Sequence, residues 1–359
     1  MAAHELPDLF RFYDGTRVRE RVDWRRRRAE IANAIVPLAY GEIPPAAPAD
    51  PPFEFKRLPA DHLGGAEARK YLISIAASPR VVFALRVLVP NGNGPFPAIV
   101  SGDACWPLND KVRREVLGRG VILARFNRDY IARDSGEPGE PRGVRAAFPG
   151  DYGALAAWAW GYHRAVDFLL TLPEVNPAQI AITGHSRGGK AALLAGATDE
   201  RIALVHANQS GCGGAGCFRW QGEKSETLAD ILRQFPHWFA PGLKDFVGSE
   251  ETLPFDQHSL KALVAPRPLL TTEALGDWWA NPEGTWQSHR AAREVYRFLG
   301  VEEKIAIRFR HGPHDHALAD WMALLDFMDV HFNGKAPGNA AGENPFRGLP
   351  PAHRWTAPG

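Results

Sequence analysis

From Ile180 to Ala195 the chain reads Ile-Ala-Ile-Thr, then Gly184-His185-Ser186-Arg187-Gly188-Gly189-Lys190, then Ala-Ala-Leu-Leu-Ala. An apolar β-branched run, a glycine-rich break and a run of good helix formers spell strand, sharp turn, helix. Gly184, Ser186 and Gly188 fit G-x-S-x-G, in which the serine occupies a strained turn and the glycines let neighbouring backbone approach closely. That geometry lifts Ser186 above a sheet, and the helix behind it aims free N–H groups at an incoming oxyanion. A chain built around such a turn needs a sheet whose strands feed helices. Ser186 becomes the first candidate for a nucleophile.

The rest of the sequence supplies that sheet. Residues 1 to about 60 read as a helical lead-in followed by a Pro-rich loop, Pro44-Pro45-Ala46-Ala47-Pro48 through Pro51-Pro52. Tyr71–Ile75 and Arg80–Val89 read as an antiparallel pair. After Pro95, strand-like runs (Pro97–Val100, Val121–Ala124, Ile180–Ile182, Ile202–Val205, Pro268–Thr271, Ile305–Ile307) alternate with helical segments, notably Leu155–Leu170. Alternation of this kind implies an α/β class with a mostly parallel central sheet and helices on both faces. With the elbow, it resembles the α/β-hydrolase fold. One domain is expected over residues 1–333, with a Gly/Pro/Ala-rich tail over 334–359 that wraps the surface or is partly mobile; no repeat or linker divides the chain.

Composition excludes several partners. Lys plus Arg (42) balance Asp plus Glu (41), which leaves no general nucleic-acid footprint. The basic run Arg25-Arg26-Arg27-Arg28 reads as the solvated face of an N-terminal helix. Three cysteines, Cys105, Cys212 and Cys217, cannot form a disulfide framework. The N-terminus Met1-Ala2-Ala3-His4-Glu5-Leu6-Pro7 lacks the charged and apolar regions of a signal peptide, and no apolar run reaches membrane-spanning length, so no membrane partner is expected.

A serine hydroxyl needs a base to take its proton and a carboxylate to orient that base. α/β-Hydrolases place these in the chain order serine, acid, histidine. Past the last strand comes His311-Gly312-Pro313-His314-Asp315-His316, and His314, behind the tight Gly-Pro turn, is the expected base. The three histidines have metal-ligand spacing, but no acidic or cysteine set accompanies them, and neither metal nor cofactor is expected. Past the preceding strand comes Glu273-Ala274-Leu275-Gly276-Asp277-Trp278-Trp279; Asp277 is the expected acid and Glu273 the alternative. Arg187 follows the nucleophile: its N–H is the expected oxyanion donor, and its side chain an added cationic contact. Lys190 lies one helical turn beyond Ser186, where it can face the cleft.

The elbow with Lys190 resembles the G-C-S-R-x-G-K motif of glucuronoyl esterases, carbohydrate esterase family 15, in a bacterial-type form. The resemblance continues through Ala195–Leu204, Ser210-Gly211-Cys212-Gly213-Gly214, Phe235-Pro236-His237-Trp238-Phe239, Pro254–Leu260 and Ala265-Pro266-Arg267. It implies serine-dependent hydrolysis of esters between (4-O-methyl)-glucuronic acid on xylan and lignin alcohols, through a glucuronoyl-enzyme. By resemblance Ser186 is the nucleophile, His314 the base and Arg187 the oxyanion arginine. Lys190 would hydrogen-bond sugar hydroxyls, Trp278 would line the uronate pocket, and Glu226 would make a polar sugar contact. The substrate of the family implies a secreted or periplasmic location, and a monomer is expected.

Two residues depart from the family pattern. The motif cysteine, which in fungal members forms a disulfide beside the histidine, is His185. Many members carry a glutamate as triad acid just before the Ser-Gly-x-Gly-Gly stretch, where this chain has Gln209. A glutamine cannot stabilise an imidazolium by charge, which moves the acid to Asp277; Asp277→Asn is then expected to cripple turnover and Gln209→Glu to change it little. An acetyl-xylan or general carboxylesterase of the same fold, and a carbohydrate-binding relative without turnover, are the rival readings.

Overall fold

The computed structural model describes residues 5–46, 53–59, 62–63, 66–136, 142–336 and 344–359. The expected Pro-rich loop beyond Ala46, the first four residues and tail residues 337–343 lie outside that range. In chain order the elements are α1 (Asp23–Ile35), β1 (Phe53–Leu58), β2 (His62–Leu63), β3 (Ala66–Ile75), β4 (Val81–Val89) and β5 (Phe96–Ser101). Next come α2 (Asp110–Gly118), β6 (Ile122–Phe126), α3 (Val144–Ala147), α4 (Ala154–Leu169), β7 (Val175–His185), α5 (Arg187–Thr198) and β8 (Leu204–Asn208). The chain continues with α6 (Leu228–Gln234), α7 (Gln257–Ala262), β9 (Leu269–Ala274), α8 (Pro282–Leu299), β10 (Ile305–Arg310) and α9 (Leu318–Asn333).

The strands form one sheet in the order β1-β3-β4-β6-β5-β7-β8-β9-β10, with β2 pairing β3 at the edge. The β1–β3, β3–β4 and β4–β6 pairs are antiparallel, and the rest of the path to β10 is parallel. Pattern follows position. On β4, Val81, Phe83, Leu85 and Val87 are buried while Val82 faces out, as a sheet with one solvated face requires. β8 is buried along its whole length, as befits a central parallel strand. α4 is buried on nearly every side because its alanines and Gly161 allow close packing; a Cβ at Gly161 would stand 2.9 Å from Ile131 Cγ1.

The run Arg25–Arg28 is not one solvated face. Arg27 is buried, donating from Nε to Leu9 O at 3.1 Å, and Arg28 reaches Leu263 O and Ala197 O. At 100° per residue, four consecutive side chains must spread around a helix, and the guanidiniums that turn inward tie α1 to backbone carbonyls of flanking loops and of the end of α5. The described part of the tail is tied down: Leu6 N donates to Ala352 O, Trp355 Nε1 donates to Leu6 O at 2.8 Å, and the Trp355 ring packs on Phe10. All three cysteines are free thiols.

Parallel order puts the C-terminal ends of β5, β7, β8, β9 and β10 on one edge. The register there is direct: His185 pairs with Asn208, and Asn208 with Thr272. Ligand sites of open α/β sheets lie outside that edge.

Candidate active site

Ser186 adopts φ 55° at the β7–α5 junction, a left-handed conformation that a non-glycine residue holds only when its surroundings enforce it. They do so through contact with the flanking glycines. A Cβ on Gly184 would fall 2.1 Å from Gly188 O, and one on Gly188 would fall 2.1 Å from Asp103 Oδ1. Ser186 N donates to Asn208 O at 2.9 Å, which pins the turn to β8. Arg187 opens α5, and its N–H belongs to the first turn, ahead of the intrahelical ladder.

His314 sits in the loop after β10 and Asp277 in the loop after β9. His314 Nδ1 lies 2.5 Å from Asp277 Oδ2. The two loops are laced together, with Leu275 N donating to Arg310 O and Gly276 N to Gly312 O. A Cβ on Gly276 would stand 2.6 Å from Gly312 O, so glycine is what lets them close. The carboxylate is 5% exposed and the imidazole 42%, an oriented imidazole with one open side. Ser186, Arg187 and His314 line one cavity. Glu273, the alternative acid, is fully buried, and burial pushes its carboxyl well above the usual range against the pull of Lys261. The imidazole partner is Asp277.

Gln209 has a place of its own. Its Nε2 donates to Asp315 O at 2.8 Å and its Oε1 accepts from Asp315 N at 3.2 Å. Both ends of the amide thus grip the residue next to His314. A glutamate would lose the donor and set a carboxylate against the Asp315 carbonyl, so the structure argues against Gln209→Glu being nearly silent.

His185 replaces the motif cysteine with a ring. Its Nδ1 lies 2.5 Å from Asn208 Oδ1, its N–H donates to Asp103 Oδ2, and its ring centroid is 4.4 Å from that of His314. Burial, with the adjacent His314 adding to it, pushes the His185 imidazole down to about 4. It stays neutral near pH 7 and so adds no second cation to the site.

The Arg187 side chain is committed to a frame. Its Nη1 donates to Asp134 Oδ2 at 2.6 Å, and its guanidinium carbon lies 4.8 Å from the Trp238 ring centroid and 5.4 Å from that of Phe235. Burial would raise the Asp134 carboxyl, but donors from His237, Arg187 and Trp238 outweigh it and hold it below the usual range. Among the described residues the guanidinium Nε is buried with no hydrogen-bond partner, which leaves a donor beside the elbow. Asp134, Trp238 and Phe235 were not assigned from sequence; Phe235 and Trp238 were visible only as parts of a motif, and Asp134, 53 positions before Arg187, gave no signal.

Lys190 is buried, and its Nζ donates to Ser210 O and Cys212 O, both at 2.6 Å. Glu226 Oε2 lies 3.8 Å from that ammonium. Burial lowers the lysine and raises the glutamate, and their mutual attraction opposes both shifts. The tryptophan that joins them is Trp279, whose Nε1 donates to Glu226 Oε1 at 3.1 Å. Trp278 does not: it is 58% exposed and lines a different depression with His311, Pro313 and Phe346. The two rings are consecutive in a tight helical turn, Trp278–Ala280, which sends them to different sides. Among the described residues no three His, Cys, Asp or Glu side chains are grouped to hold a metal ion.

A serine on a strained strand–helix turn, an aspartate after the next-to-last strand and a histidine after the last, in that chain order, define an α/β-hydrolase. Relatives sharpen that class. Residues 73–300 match the family model described as glucuronyl esterase, fungi. The chain is 33% identical over 329 residues to 4-O-methyl-glucuronoyl methylesterase 1 of Wolfiporia cocos, covering 87% of this chain and 76% of that protein. It is 40% identical over 202 residues to carbohydrate esterase MZ0003 from an unknown prokaryotic organism, covering 52% of this chain and about half, 46%, of that protein. A carbohydrate esterase family 15 glucuronoyl esterase from Caldicellulosiruptor kristjansonii superposes with a TM-score of 0.81 at 31% identity, over 98% of both chains. The chain belongs to the glucuronoyl esterase family.

Proposed function

We propose that the protein hydrolyses glucuronoyl and 4-O-methyl-glucuronoyl esters, such as those joining xylan to lignin alcohols, by serine-dependent acyl transfer. The observation that carries this is the Asp277–His314 pair set over the strained Ser186 turn, in a chain of this family. His314 takes the hydroxyl proton as Ser186 Oγ attacks the C6 carbonyl of the uronate. The Arg187 N–H and guanidinium stabilise the oxyanion. Collapse of the tetrahedral species breaks the C–O bond to the alcohol, which leaves with the proton held by His314. Water, deprotonated by His314, then attacks the glucuronoyl-Ser186 ester and returns the uronic acid and free serine.

Lys190, Glu226 and Trp279 are the proposed contacts to the sugar. They form one connected polar cluster beside the turn, and Trp279 is 46% exposed. Because the cleaved group is a neutral ester, such a cluster reads hydroxyls rather than charge. The reading includes a monomer acting outside the cytoplasm, where the polymer lies; among the described residues no helix is long and apolar enough to cross a membrane. The test is hydrolysis of benzyl glucuronate beside benzyl galacturonate and 4-nitrophenyl acetate, with Ser186→Ala as control. Strong Ser186-dependent cleavage of the glucuronate ester is expected. Cleavage of the acetate alone would move the protein to the general esterases.

A further inference from the structure

The catalytic groups face a second space that the sugar cluster does not share. Ser186, Arg187 and His314 form one wall of a cavity of about 470 Å³. Its other walls are the loop after β5, with Trp106 and Leu108, and the start of α9, with Leu318 and Trp321. Strands β5 and β8 flank β7 on opposite sides. The sugar cluster stands toward β8 and β9, through Ser210, Cys212 and Trp279, and this cavity stands toward β5.

That division matters for an ester. The carbonyl carbon attacked by Ser186 carries two diverging groups, the uronate ring and the alkoxy oxygen. A uronate held toward β8 directs the alkoxy group toward β5, along the face of His314 that must protonate it.

The wall there is aromatic, exposed and braced. Trp106 is 39% exposed, although its ring is large and apolar. The Arg128 guanidinium covers the indole at 4.5 Å from its centroid, and Arg128 is itself paired with buried Asp103. Arg125 Nη2 donates to Trp106 O at 2.9 Å and to Asp103 O at 2.8 Å. The His185 ring meets Trp106 edge-on at 6.0 Å. An indole held in this way loses little freedom when a second ring stacks on it.

We propose that this cavity is the subsite for the alcohol half of the ester, and that it takes an arylalkyl alcohol whose ring stacks on Trp106. The inference rests on the acyl-transfer reading given above. Trp106 acts in binding, and its signature is selectivity between leaving groups.

The experiment measures kcat/KM for benzyl glucuronate and methyl glucuronate with the wild type, Trp106→Ala and Trp106→Phe. Comparing one pair of esters across variants cancels the intrinsic reactivity of the two alcohols. The benzyl-to-methyl ratio is expected to fall about tenfold in Trp106→Ala, with most of it retained in Trp106→Phe. A ratio unchanged in Trp106→Ala would overturn the proposal. Should Trp106→Ala fail to fold by circular dichroism, Leu318→Ala on the opposite wall reads the same ratio with the same two outcomes. If the wild type cleaves neither glucuronate ester, the uronate reading fails, and the benzyl-to-methyl ratio on acetate esters then decides the alcohol subsite by the same criterion.

Discussion

Replacing Asp277 with asparagine keeps the size of the side chain and removes its charge. The carboxylate is nearly out of solvent and lies 2.5 Å from His314 Nδ1. When His314 accepts the serine proton, an ion pair forms with charge centres about 4 Å apart; at an effective dielectric of about 20 their attraction is about 4 kcal/mol. Losing it costs about a thousandfold in kcat. Asparagine adds a second penalty: its NH2 can donate to Nδ1, which puts the imidazole proton on Nε2 and leaves no base facing Ser186. The combined loss should lie between about 10³ and 10⁴. The assay is steady-state hydrolysis of benzyl glucuronate and 4-nitrophenyl acetate, with Glu273→Gln as the companion variant. Both substrates should show the same loss in Asp277→Asn, since the defect precedes substrate recognition. A kcat for Asp277→Asn within about tenfold of wild type, or a larger loss in Glu273→Gln, would refute the assignment of the acid.

Other perturbations separate the remaining roles. Trp279→Phe keeps a ring but deletes the donor to Glu226 Oε1; KM for glucuronate esters should rise about tenfold with acetate hydrolysis little affected, whereas Trp278→Ala should alter neither, and the reverse pattern would return the pocket to Trp278. Gln209→Glu breaks the two-point grip on Asp315 and should lower kcat about tenfold or more; wild-type turnover would show that the grip does not position His314. Burial pushes the His258 imidazole down to about 3, so the unfolded chain takes up a proton below about pH 6.5 that the folded protein refuses. At pH 5 this costs the folded state about 2 kcal/mol. Urea midpoints should therefore fall less between pH 7.5 and 5 in His258→Gln, whose amide can still donate to Pro7 O, than in the wild type; equal falls would contradict it.

What the sequence revealed about this molecule was mostly local. The elbow was readable because strand, glycine turn and helix are contiguous, and the Asp277–His314 pair because each residue follows a recognisable strand. β1 was missed because its residues behind the prolines are mostly exposed, so its alternation carries no core signal. The frame around Arg187 was illegible for a different reason. Asp134 and Trp238 meet in space through a hydrogen bond that spans about a hundred positions, and although Trp238 lies in a motif, nothing near either residue points to the other. Trp278 and Trp279 could not be told apart from sequence, since only the tight turn decides which indole faces Glu226. Gln209 was read as an absent acid; its amide role appeared only once the Asp315 backbone was seen against it.

In the proposed cycle Ser186 carries the uronate as an ester during turnover. The direct measurement is acid quench of the protein with benzyl glucuronate, in wild type and Ser186→Ala, followed by peptide mapping by mass spectrometry. A glucuronoyl ester on the peptide bearing Ser186 is expected, with neither adduct nor turnover in Ser186→Ala. Turnover persisting in Ser186→Ala, or the ester found on another residue, would contradict it.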